Sequence, residues 1–324
     1  MYKVNGTKVM LKMALVAGLV CTSMTPTIIR AIEADEQSLF GSPEQAVTAL
    51  QAAVKADDTN AMRRLFGSAR DEITNPDPAQ RAKNHALFAK RMAESVELVK
   101  QDNGTIVLRA GNDHWPFAIP LAKKGDKWFF DTLAGKEEIL NRRIGGNELS
   151  AIEVCYAYVK AQREYIQKDY DGNRVMEYAQ RMQSKPGMKD GLFWETKSGE
   201  EESPLGPLVA SASQEGYSSK TVSAISRKHD PFHGYFFRIL KKQGKKAPGG
   251  KFDYVINGHM VAGFALLAYP AQWGNSGVMT FIVNQQGKIY QKNLGEKTAD
   301  LAPKIKEYNP DETWKPAEEK QITP

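Results

Sequence analysis

Leu149-Ser150-Ala151-Ile152-Glu153-Val154-Cys155-Tyr156-Ala157-Tyr158-Val159-Lys160-Ala161-Gln162-Arg163-Glu164-Tyr165-Ile166 is the stretch on which the fold turns. Leu149, Ile152, Tyr156, Val159 and Ile166 recur at helical spacing, and Ser150 with Glu153 reads as a capping box. The acidic turn Asp169-Tyr170-Asp171-Gly172-Asn173 ends the helix, and Gly145-Gly146 ahead of it predicts a domain boundary. One long helix therefore stands between two halves, and each half needs a core of its own.

Before it, Pro43 to Val54 places Val47, Leu50 and Val54 on one helical face, with Ser42 and Pro43 as cap and first residue. A shorter helix over 61–66 and another carrying Leu87, Phe88 and Met92 follow, parted by Asn75-Pro76-Asp77-Pro78. The period then shortens to two. Val96 to Val99, Thr105 to Leu108, Phe117 to Leu121 and Trp128 to Phe130 read as strands, with turns at Asn103-Gly104 and Lys124-Gly125-Asp126. Helices followed by an antiparallel meander make an α+β unit, and their order resembles NTF2-like domains. The aromatic set Trp115, Phe117, Trp128, Phe129 and Phe130 would be its core or line its cone.

After the long helix the chain is rich in Gly, Pro and Ser to about residue 226. Strands follow at Tyr235 to Leu240, Gly263 to Tyr269, Val278 to Val283 and Lys288 to Gln291. A long helix, an irregular middle and a terminal antiparallel sheet resemble the globular part of pilins and pseudopilins. The expected organisation is 1–34 leader, 35–145 N-terminal α+β domain, 146–297 C-terminal α+β domain, and 298–324 helix and tail.

The leader reading rests on Lys3, Lys8 and Lys12, then the apolar run Met13 to Cys21, then Ala31-Ile32-Glu33-Ala34. That run is shorter than the roughly 20 residues a membrane span needs. Cleavage near Asp35 would make the protein periplasmic or extracellular, with no transmembrane segment in the mature chain. The formal net charge is +6. The leader holds four of the basic residues against Glu33, so half of that excess leaves with it. Nucleic acid, which asks for a clustered basic face, is therefore not the expected partner. Cys21 leaves too, and Cys155 alone can form no intramolecular disulfide.

A set of segments in order carries a family resemblance. They are Trp115-Pro116-Phe117-Ala118-Ile119-Pro120-Leu121, Glu138 to Gly145, Ala161-Gln162-Arg163-Glu164-Tyr165, Asp171-Gly172-Asn173 with Glu177 to Gln180, Ser203 to Leu208, Phe232 to Leu240, and Gly277 to Phe281. They resemble the bacterial exported family catalogued as domain of unknown function 2950, from about Phe40 to Trp314. The resemblance implies export and architecture; it implies no activity and no catalytic residues.

Candidate residues fall into separate groups. Asp169, Asp171, Asn173 and Glu177 are oxygen ligands that could serve calcium, although the EF-hand spacing is absent. His229, His233, Tyr235, Asp253 and His259 form a candidate functional surface; His229 and His233 would suit zinc only on a helix, which Pro231 opposes. The alternative for His233 is packing at the start of a strand with a bond to a backbone carbonyl. Gly274-Asn275-Ser276-Gly277 has the look of a protease nucleophile loop but lacks the upstream histidine segment, so it reads as a turn. Cys155 reads as a buried small hydrophobe. Lys241, Lys242, Lys245, Lys246 and Lys251 form a solvated hairpin or meet an acidic partner. No complete catalytic set emerges. The expectation is a non-enzymatic envelope binding or assembly module with an unidentified protein or ligand as partner. The alternatives are a cell-envelope hydrolase using His233 and Asp253, and a calcium-dependent structural protein.

Overall fold

The computed structural model describes residues 37–170, 172–217 and 231–317. The leader, Asp171, His229 and the last residues of the tail lie outside the described residues.

Helix α1 (Pro43–Ala56) starts as its sequence dictates, with the Ser42 side chain accepting from the Gln45 amide and Pro43 in the first turn. It buries Ala46, Val47, Leu50, Ala53 and Val54. Asp58 caps α2 (Thr59–Phe66), the short α3 (Arg70–Ile73) follows, and Asp77 caps α4 (Pro78–Glu94). The meander is antiparallel throughout: β1 (Val96–Lys100), β2 (Ile106–Ala110), β4 (Leu121–Lys124) and β5 (Lys127–Phe130) lie in that order, and β3 (Trp115–Pro116) pairs with β2. The strand expected over 117–121 is split, because Pro120 has no amide to give the ladder. Phe130, Leu121, Leu108 and Leu50 sit at the centre of this first core. Phe117 packs on Phe66, Phe88, Trp115 and Phe130, so these aromatics serve the core.

The long helix α5 corrects two expectations. It begins at Thr132, capped by Asp131, and runs unbroken through Gly145 and Gly146 to Tyr165. Ser150 and Glu153 are therefore mid-helix and cap nothing. Each interior glycine costs about 1 kcal/mol relative to alanine, which burial along the rest of the helix outweighs. The face turned inward is Ala151, Val154, Cys155, Tyr158, Val159, Gln162 and Tyr165. Leu149 and Tyr156, expected inside, are 41% and 40% exposed. Gly135 is required: a Cβ there would lie 2.7 Å from the Ala118 carbonyl oxygen.

The second core lies against the C-terminal half of α5. Its sheet has the order β14 (Lys315–Pro316), β13 (Tyr290–Asn293), β12 (Met279–Asn284), β11 (Ala265–Pro270) and β6 (Tyr235–Leu240), all antiparallel. Every residue of the central β11 is buried, which accounts for its continuous apolar run. Helix α6 (Gly206–Gln214) covers this core, and α7 (Thr298–Leu301) precedes the edge strand β14. Two ribbons extend from the sheet: β7 (Lys242–Gln243) with β8 (Phe252–Asp253), and β9 (Val255–Ile256) with β10 (His259–Met260). The protein is thus α+β in both halves. Among the described residues, no helix is long and apolar enough to cross a membrane.

Candidate functional site

The site begins with a buried glutamine. Gln162, fully buried on α5, donates to the Ala179 carbonyl and accepts from the Ala179 amide. That pair of bonds holds the segment after the acidic turn against the helix. The turn itself closes on Asp169, whose carboxylate accepts from the amides of Asn173 and Arg174. One residue before Ala179, the Tyr178 amide donates to the Met260 carbonyl. Met260 is anchored by a fully buried side chain, and its neighbour His259 is presented by a tight hairpin at Asn257-Gly258. Both turn residues have positive φ, 50° and 88°, the geometry of the two-residue hairpin turn that Asn-Gly favours.

These constraints bring Glu177 and His259 together. His259 Nδ1 lies 2.8 Å from Glu177 Oε1. Asn173 donates to the same oxygen at 2.7 Å, and the Met260 amide donates to Oε2 at 3.1 Å. Burial acts to raise the Glu177 carboxyl, but the bonds from His259, Asn173 and Met260 outweigh it and hold the group below the ordinary glutamate range. A carboxylate on Nδ1 fixes the proton there and leaves the Nε2 lone pair outward. Nε2 has no partner among the described residues, and the side chain is 35% exposed.

His259 opens onto a cavity of about 370 Å³, which Glu177, Gln180, Arg181, Asp190 and Lys241 also line. Gln180 donates to the Gly258 carbonyl at 2.6 Å and accepts from Lys241 Nζ at 2.8 Å. Asp190 offsets Arg181 at 3.4 Å. Lys241 has no carboxylate partner among the described residues.

The other candidate residues lie elsewhere. Tyr235 is fully buried and its hydroxyl donates to the Met279 carbonyl, so alternation along β6 makes it a core residue and not a surface one. Asp253 is exposed on β8 beside Lys242. His233 sits at φ 46°, just before β6, where the first and second cores meet. It bonds side chains, not the backbone carbonyl expected. Gln80 Nε2 lies 3.3 Å from its Nδ1, and Glu215 lies 3.3 Å from its Nε2. The same Gln80 amide donates to Asn147 Oδ1 at 2.8 Å, and Asn147 donates to the Ser276 carbonyl at 2.8 Å. Asp77 caps α4 and accepts from the Tyr217 hydroxyl at 2.7 Å. Gly234 is required here, with φ 70° and a Cβ position 2.7 Å from Asn147 Nδ2. Burial holds the His233 imidazole below its usual range, although Glu215 and Asp77 pull the other way.

Ser276 is buried in its turn, exchanging bonds with the backbone of Gln272. Burial pushes the Cys155 thiol up to about 12. Of the calcium candidates, Asp169 and Glu177 have oxygens engaged by protein donors, and no group of three or more His, Cys, Asp or Glu suited to a metal ion occurs among the described residues.

Periodicity could not find Gln162, Gln180 or Arg181, since nothing local marks them. The Asn257-Gly258 turn was the legible signal for the ribbon that carries His259. No curated protein and no solved structure matches the chain, and no comparison supports the expected resemblance to pilin or NTF2-like domains. A family model described as "Protein of unknown function (DUF2950)" matches residues 37–317, and the chain belongs to that family.

Proposed function

We propose that this chain is an exported envelope protein that binds an anionic group in the pocket beneath His259. The observation that carries the reading is an imbalance of donors. Glu177 spends its oxygens on Asn173, His259 and Met260. Asp190 is committed to Arg181 and to the Lys185 amide. Lys241 keeps an uncompensated charge at the rim, and His259 Nε2 is open. A cavity that offers donors and has already used its acceptors favours an acceptor-rich, negatively charged ligand. Export is supported by the basic, apolar and small-residue order of the first 34 residues.

The direct test is calorimetric titration of the purified chain with inorganic phosphate. Saturable binding is expected, weakened at least tenfold in Lys241→Ala. Absence of binding at millimolar phosphate would remove the reading.

A further inference from the structure

We propose that the group bound in this pocket is a phosphodiester and that His259 hydrolyses it by activating water. The inference rests on the reading of the pocket as an anion site and adds a reaction to it.

Three features converge. First, the Glu177–His259 bond fixes which nitrogen is basic and where it points. Glu177 is itself immobilised by Asn173 and the Met260 amide, so the ring is oriented before any ligand arrives. This is the arrangement a general base needs: a lone pair aimed at the substrate and a carboxylate that steadies the imidazolium once formed. Second, the cavity wall carries Lys241, which has no carboxylate partner among the described residues, beside the Arg181–Asp190 pair. A phosphodiester holds its negative charge at the reacting centre, so a cation that binds it also stands beside the oxygens that gain charge during attack. Third, no serine, threonine or cysteine lines the cavity. Water is then the nucleophile that the base can reach. About 370 Å³ accommodates a phosphate and parts of both its substituents.

The step balances without a further reactant. His259 Nε2 takes a proton from water as the water oxygen bonds to phosphorus. The ester P–O bond breaks, and its electron pair leaves with the alkoxide. The alkoxide takes a proton from solvent and the imidazolium returns one. One diester and one water give one monoester and one alcohol. Glu177 is a positioning residue, and His259 is the catalytic one.

The experiment follows nitrophenolate release from bis(p-nitrophenyl) phosphate by the full chain, with phosphate binding measured on the same preparations. Turnover is expected, inhibited by inorganic phosphate and lowered at least about 100-fold in His259→Gln, the scale of general-base catalysis. Glu177→Gln should shift the pH–rate profile, which a merely structural role would not do. Asp253→Asn should leave the rate unchanged. A wild-type rate no higher than that of His259→Gln, with phosphate still bound, would overturn hydrolysis and leave the binding reading standing. Failure to bind phosphate would overturn both. Thermal melts of each variant identify any that has lost its fold, and His259→Asn serves as the second substitution at the base.

Discussion

Among the histidine–carboxylate pairs of the described residues, those at His233 and His259 differ in what they leave unused. His233 has Gln80 on Nδ1 and Glu215 on Nε2, with its ring packed against Tyr217 and Phe232. His259 has Glu177 on Nδ1 and an open Nε2 above a cavity. The first pair is a fastener between two cores; the second is a reagent held ready. Proximity of His to an acid does not separate them. The count of ring nitrogens left free does, and so do the partners of the carboxylate.

The largest effect should come from breaking the fastener at its centre. Asn147→Leu removes the donor to the Ser276 carbonyl, which is left unpaired in a buried joint, and one of the two side-chain partners of the Gln80 amide. We expect a loss of about 3 kcal/mol in urea unfolding, with phosphate binding per folded molecule unchanged. A loss under 1 kcal/mol would mean that the joint is looser than its bonds imply.

His233→Ala should cost about 2 kcal/mol, since it leaves Gln80 and Glu215 short of a partner. Its pH dependence carries more information than its size. Burial lowers the folded-state pKa of His233 beneath its ordinary 6.5, against the pull of Glu215 and Asp77 and with that of Lys83. The unfolded chain therefore binds the extra proton first, and wild-type stability falls as pH drops below about 6.5. His233→Ala should lose that part of the slope between pH 7 and pH 5. An unchanged slope would show that the ring takes up its proton equally readily in the folded and the unfolded chain.

The matching change at the second pair should reverse the pattern. His259→Ala, on a two-residue ribbon with the ring partly in solvent, should change stability by under about 1 kcal/mol while abolishing the hydrolysis proposed above. Equal destabilisation by the two alanine variants would erase the distinction between them.

Much of this architecture could be read from the residues. Ser42-Pro43, the alternation from Val96 onward and the apolar run of β11 each name their element locally. The long helix was harder, because its two halves serve different cores. Ile139 faces the first and Ala151 to Tyr165 the second, so of the stripe Leu149, Ile152, Tyr156, Val159 and Ile166 the helix buries Val159 and packs Ile152 on the core, but leaves Leu149 and Tyr156 exposed. The pocket was legible only in pieces. Asn173 and Glu177 came forward as oxygen ligands and His259 as a surface histidine, for unrelated reasons. Their meeting depends on the Tyr178–Met260 and Gln162–Ala179 bonds, whose long-range pairing no local pattern encodes.

The smallest effect is expected where the acidic turn borders the pocket. Calcium asks for several oxygens with free lone pairs. Asp169 already accepts from two backbone amides, and both oxygens of Glu177 accept from protein donors. A cation would have to displace the Asn173 and Arg174 amides and open the turn that aligns Glu177 with His259. Calcium should therefore gain little over the bonds it breaks, and melting midpoints with calcium and with chelator should coincide. A higher midpoint with calcium would return the turn to the metal reading. It would also predict that calcium inhibits the pocket, because it would draw Glu177 away from the imidazole that it steadies.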